Sequence, residues 1–148
     1  MKESQVQEVS LEETEDFDAM RSLARRSGLE GGKFDDIAVA YGCYAGEQLM
    51  GCAALKRLGE AFSVEWLAVD SSRRNEGIVR MIVERIASEV RDRGATRLWA
   101  LARAPDFFLR IGFLPSSPEA SPGPTLAACH KCAQYDATCI PKMVVKNL

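Results

Sequence analysis

The chain has 148 residues, 47% of them apolar and 27% charged, with a formal net charge of −2. That length predicts one domain over residues 1–148, with enough apolar material for a core that needs no staples. The near-neutral balance gives no electrostatic footprint for nucleic acid, and no run approaches the roughly 20 apolar residues of a membrane helix, so neither is an expected partner.

Met1-Lys2-Glu3-Ser4-Gln5 has no apolar leader, which makes the cytoplasm the expected location. Five cysteines, odd in number and unevenly spread, argue against a secreted disulfide framework. Val6-Gln7-Glu8-Val9 alternates and reads as a first strand. Thr14 before Glu15 and Asp16 reads as an N-cap with an acidic first turn. Phe17, Met20, Leu23 and Ala24 recur at helical spacing, which predicts a helix to Ser27 that ends at Gly28. Residues 37–41 and 49–55 read as strands joined at Ala45-Gly46-Glu47, a hairpin. After Gly59-Glu60, residues 62–69 form the next strand, nearly all apolar at its end, as suits a central position.

From Gly77 the apolar residues Ile78, Ile82, Ile86 and Val90 fall four apart, which predicts an amphipathic helix closed by Arg93-Gly94. Residues 97–101 are a strand, 105–111 a short helix ended by Gly112, and Phe113-Leu114 opens a further segment. Residues 115–128, rich in Pro, Ser and Ala, form a long loop, and residues 142–146 a last strand. The expected fold is α/β (α+β). Its sheet is mixed and mostly antiparallel, with helices on both faces and a parallel central pair from the strand–helix–strand unit at 62–101.

The stretch from Val64 to Arg80 organises the rest. It is a strand, a polar loop and the start of the long helix, with Gly77 at the turn and Arg73, Arg74 and Arg80 around it. Such a loop presents backbone N–H groups at a helix N-terminus, where a phosphate is stabilised.

The segment Arg74-Asn75-Glu76-Gly77-Ile78-Val79 resembles the Arg/Gln-x-x-Gly-x-Gly/Ala cradle of the GNAT family of acyl-CoA-dependent N-acetyltransferases. Phe107-Phe108-Leu109-Arg110-Ile111-Gly112-Phe113 resembles that family's closing segment. Gly51-Cys52-Ala53-Ala54-Leu55 and the cysteine-bearing tail look most like the amino-acid N-acetyltransferase branch, which includes N-acetylglutamate synthase-like proteins. The resemblance implies acetyl-CoA as cosubstrate and a small-molecule amine as partner, with a homodimer among the open assemblies. It implies that backbone N–H groups from Glu76 to Val79, with Arg74, hold the pyrophosphate. It also implies that main-chain groups of Leu67 and Val69 pair with the pantetheine arm in a gap where the two parallel strands splay, and that Phe108 walls the groove.

This chain departs from the family pattern at several of these positions. Val79 stands where Gly or Ala is usual, and Glu76 adds a negative charge beside the phosphate site. The family's general base is often Glu at the position of Ser63; here the carboxylate is two residues on, at Glu65, on the same strand face. Glu65 is therefore the candidate base or amine-binding group, with a salt bridge as the plain alternative. Phe108 occupies the position of a proton-donating Tyr, so water or another group must return that proton. Glutamate synthases of the branch use an Arg where Glu65 stands, which disfavours glutamate and favours a cationic amine. Tyr41, Tyr44, Arg57 and Arg103 are other candidate wall residues.

Cys129-His130-Lys131-Cys132, followed by Cys139, has metal or redox spacing. Cys129, Cys132 and Cys139 with His130 would suit a tetrahedral zinc site. A disulfide, and free thiols over the substrate mouth, stand beside that reading. Cys43 and Cys52 read as small apolar fillers of the hairpin. The leading function is N-acetyl transfer; the alternative is a degenerate GNAT domain acting as a binding or redox/metal-sensing module.

Overall fold

The computed structural model describes residues 9–28, 34, 36–73, 77–102, 105–116 and 142–148. Among these, the elements run β1 (Ser10–Glu13), α1 (Phe17–Arg26), β2 (Ile37–Ala45), β3 (Gln48–Leu58), β4 (Ala61–Val69), α2 (Ile78–Asp92), β5 (Arg97–Ala102), α3 (Pro105–Arg110), β6 (Leu114–Pro115) and β7 (Lys142–Asn147). The strands form one sheet in the order β1-β2-β3-β4-β5-β7-β6. Each neighbouring pair is antiparallel except β4–β5, which is parallel. The mixed, mostly antiparallel sheet is the one expected.

Side-chain alternation divides the core between two faces. Leu49, Cys52, Ala54 and Ala68 pack with Met20, Leu23 and Ala24 of α1. Met50, Ala53, Leu55, Val64 and Val69 pack with Ile78, Ile82, Val83, Ile86 and Val90 of α2. The helices therefore cover opposite faces. The predicted stripe of α2 is the buried one, and Gly94 closes the helix at φ 87°. Gly51 lets that helix approach the sheet: a Cβ there would stand 2.7 Å from Ile78 Cγ2.

Several predicted boundaries move, β2 and β3 extending to Ala45 and Leu58. The first strand is Ser10–Glu13 rather than 6–9, of which residues 6–8 lie outside the described residues. Pairing of Ser10 to Tyr44 through Glu13 to Tyr41 sets its place, with Val9 and Leu11 against the α2-side core. The cap of α1 is Asp16, whose carboxylate accepts the Ala19 N–H at 3.1 Å, and not Thr14. Thr14 is still tied to the sheet: its N–H donates to Ala40 O at 2.9 Å, and its hydroxyl meets Tyr44 Oη at 2.9 Å. The start of the predicted 115–128 loop is strand-paired, since Pro115 lies opposite Val144 and the Ser116 N–H donates to Met143 O. Its residues from 117 onward lie outside the described residues.

Candidate active site

Strands β4 and β5 pair at Ser63–Trp99 and Val64–Ala100, and no further pairing follows among the described residues. Yet β4 runs on to Val69 and β5 to Ala102. The predicted splay is therefore present, and it opens at Glu65. Its local cause lies on the other edge of β4. Ala54 faces Glu65 and Cys52 faces Ala68, so Trp66 and Leu67 together stand opposite Ala53. This is a β-bulge, and a bulge bends and twists its strand. Trp66 takes φ 57° to make it. The buried Cys52 thiol donates to the Trp66 carbonyl at 3.4 Å. Burial pushes that thiol up to about 12, so it stays a protonated donor, and the filler expected at this position also braces the bulge.

Beyond the bulge, the Asp70 N–H donates to Met50 O at 2.8 Å, toward β3. Backbone groups alternate sides along a strand, so those of Val69 and Leu67 point toward the gap. The Val69 carbonyl accepts the Ser27 hydroxyl from the end of α1 at 3.4 Å and keeps a second lone pair. Sequence reasoning missed Ser27, because only the packing of α1 across β4 brings it there.

After β4 comes a 3-10 turn, Ser71–Arg73. Asp70 accepts the Ser72 hydroxyl at 2.7 Å and the Ser72 N–H at 3.0 Å, and pairs with Arg26 at 3.6 Å. The Ser72 hydroxyl first, then its N–H and the Arg26 guanidinium, hold the Asp70 carboxyl below its usual range. Gly77 precedes α2 at φ 74°, a left-handed conformation that suits glycine. Among the described residues no side chain caps the helix, and its first turn has no acidic residue. Its leading N–H groups thus keep their partial positive charge for an incoming anion. Among the described residues, a Cβ at Gly77 would meet nothing within 4 Å. Val79, the departure from the cradle pattern, packs its side chain against the α2-side core. These features fit the diphosphate of CoA. Arg74, Asn75 and Glu76 lie outside the described residues.

On the α1 face, the fully buried Ser63 hydroxyl donates to Glu65 Oε2 at 3.0 Å, while Glu65 is half-buried where the strands part. The bulge places Trp66 on this same face, against the core beside α1. Its indole stacks on Phe34 at 4.1 Å, and Phe34 stacks on Phe17 at 4.7 Å. Strict alternation would put Trp66 on the α2 face; the bulge register moves it, and nothing local in the sequence signals that.

Phe108 is a core residue, edge-to-face with Phe113 at 5.0 Å and packed with the α2-side cluster. Of the other wall candidates, Tyr41 is buried on the α2 face, its hydroxyl donating to Glu89 at 3.4 Å. Tyr44 bonds Thr14, and Arg57 lies opposite Phe62, near the start of β4. Arg103 lies outside the described residues, as do Cys129, His130, Cys132 and Cys139. Among the described residues no group of three His, Cys, Asp or Glu is placed to hold a metal, and no helix is long and apolar enough to cross a membrane. Two clefts open away from the gap. One of about 380 Å³ lies between α2 and Lys146, and one of about 480 Å³ lies beside β1 and β2. Neither is lined by β4.

Residues 3–113 match the model of the acetyltransferase (GNAT) family. The chain belongs to that family, a class of acyltransferases that draw on acyl-CoA. Among solved structures, it is similar to N-acetylglutamate synthase from Neisseria gonorrhoeae complexed with coenzyme A and N-acetyl-glutamate. That match has a TM-score of 0.79 and 22% identity, over 95% of this chain and 35% of that one. The chain thus spans about a third of the length of that synthase. It is also similar to a Mycobacterium tuberculosis protein solved with CoA, with a TM-score of 0.72 and 17% identity over 94% of this chain and 99% of that one. A third match is PaiA N-acetyltransferase from Thermoplasma acidophilum in complex with coenzyme A, with a TM-score of 0.67 and 13% identity over 95% and 99%. At these identities the likeness is one of fold.

Proposed function

We propose that the chain moves an acetyl group from acetyl-CoA to the primary amine of a small molecule, an amino acid or an analogue of one. The observation that carries this reading is the parting of β4 from β5 at Glu65, beside the mouth of α2 at Gly77. The leading N–H groups of α2 at Ile78 and Val79, with Arg74, hold the diphosphate. Main-chain groups of Leu67 and Val69 hold the pantetheine arm along the gap. Bound acetyl-CoA supplies an activated thioester at the point where the strands part.

Amine attack requires an unprotonated nitrogen. Glu65, oriented by the Ser63 hydroxyl, draws the ammonium to the gap and takes its proton. The nitrogen then bonds to the acetyl carbon as the carbon–sulfur bond breaks, and the extra proton left on that nitrogen passes through water to the departing thiolate, since Phe108 has none to give. A carboxylate at Glu65 attracts cationic acceptors and repels acidic ones, which argues against glutamate.

Calorimetric titration with acetyl-CoA, followed by thiol release over a panel of amines, tests the reading. Binding together with amine-dependent thiol release is the expected result. Glu65→Gln should lower turnover and flatten the rise of rate with pH while acetyl-CoA affinity persists. No binding of acetyl-CoA would overturn the proposal and favour a degenerate binding module.

A further inference from the structure

Phe17, Phe34 and Trp66 form a ladder of stacked rings, with interplanar angles of 20° and 14°. Trp66 is an end rung, and among the described residues no further ring stacks on it. It is half-buried, next in sequence to Glu65, and on the same sheet face. It also holds a left-handed backbone that strains any bulky residue and that glycine adopts freely. A bulge alone does not ask for tryptophan, so the indole at this strained position points to a use of its ring.

The geometry says what that use is. The mouth of α2 lies on one face of the sheet, so a carrier held there reaches the gap from that side. The second reactant must approach from the α1 face, where Glu65 and Trp66 stand together. Glu65 and Trp66 are consecutive and lie on one face of the sheet, so a small molecule that carries both an amine and an apolar ring can meet both side chains. Resting on the acetyl-transfer reading above, we propose that Trp66 determines acceptor specificity. Its ring stacks on the aromatic group of an arylalkyl amine whose nitrogen lies at Glu65.

Initial rates with 2-phenylethylamine and ethylamine at saturating acetyl-CoA, and equilibrium binding of each amine by saturation-transfer NMR, test this in the wild type, Trp66→Gly and Trp66→Phe. The wild type should prefer 2-phenylethylamine in kcat/KM. Trp66→Gly should lose that preference by roughly tenfold, mainly through KM, as expected for a lost stacking contact. Trp66→Phe should keep most of it. If Trp66→Gly does not fold, Trp66→Asn, also at ease at positive φ, replaces it with the same expectation. Equal kcat/KM for the two amines in the wild type, or a preference that survives in Trp66→Gly, would overturn the proposal and leave the transferase reading standing. A wild type that binds 2-phenylethylamine through Trp66 yet acetylates neither amine would overturn the proposed role in acceptor specificity, while the transferase reading stands or falls separately on the acetyl-CoA titration and the wider amine panel. A wild type that neither acetylates nor binds 2-phenylethylamine would overturn the proposal.

Discussion

Replacing Gly51 by alanine puts the link between core packing and the cofactor mouth to a direct test. The added Cβ would stand 2.7 Å from Ile78 Cγ2 and 3.3 Å from Ile82 Cδ1. Carbon atoms rest at about 3.5–4.0 Å, so the gap to Ile78 must widen by roughly 1 Å. Ile78 is 1% exposed, β-branched and first in α2, so it has no easy rotamer of escape. The first turn of the helix has to lift instead. Overpacking of this kind costs about 1–3 kcal/mol. For a chain of this size that lowers Tm by roughly 3–9 °C, readable from helical circular dichroism. The lifted turn carries the N–H groups assigned to the diphosphate, so CoA affinity by calorimetry should weaken roughly tenfold. Adding Ile78→Ala to Gly51→Ala should recover part of the loss, by about 1–2 kcal/mol relative to the sum of the single variants. A Gly51→Ala protein that melts with the wild type and binds CoA equally well would refute the reasoning.

The other predictions concern separate parts of the molecule. Ile86, fully buried in the middle of the α2 stripe, should lose about 2–5 kcal/mol on replacement by alanine, measured by urea unfolding; a loss near zero would deny the helix its place in the core. The Asp70 carboxyl is held below its ordinary value, so its contribution to stability is full above the unfolded pKa of about 3.9 and is lost as pH falls through the folded pKa. Asp70→Asn should therefore melt below the wild type at neutral pH, and the difference should close in acid; a gap constant across the acid range would contradict the assignment. Gly77→Pro replaces φ 74° with a fixed value near −65° and should abolish CoA binding, whereas an unchanged titration would remove the α2 mouth from the site.

What could be read without the structure was whatever repeats locally. The four-residue spacing of Ile78, Ile82, Ile86 and Val90 marked the buried face of α2. Glycines at 46 and 77 marked turns that need positive φ, and both take it. Two apolar runs around Gly46 marked the hairpin. The splay of β4 from β5 was legible through family likeness alone, since no single-strand pattern encodes a missing partner. Features set by cross-strand register were hidden. The shift between Cys52–Ala68 and Ala54–Glu65 makes the bulge, turns Trp66 to the α1 face and lines it up with Phe34. Ser27 reaches Val69 only because α1 ends over β4. Thr14 made a better cap on paper than Asp16, but its bonds to Ala40 and Tyr44 keep it with the sheet.

The most direct measurement is a CoA titration followed by amide chemical shifts in ¹⁵N-labelled protein. The account predicts that the largest changes fall on the amides of Ile78 and Val79 at the head of α2, and on Leu67 and Val69 along the parted edge of β4. Saturable binding that leaves those four amides unmoved, with the shifts gathered elsewhere, would contradict it.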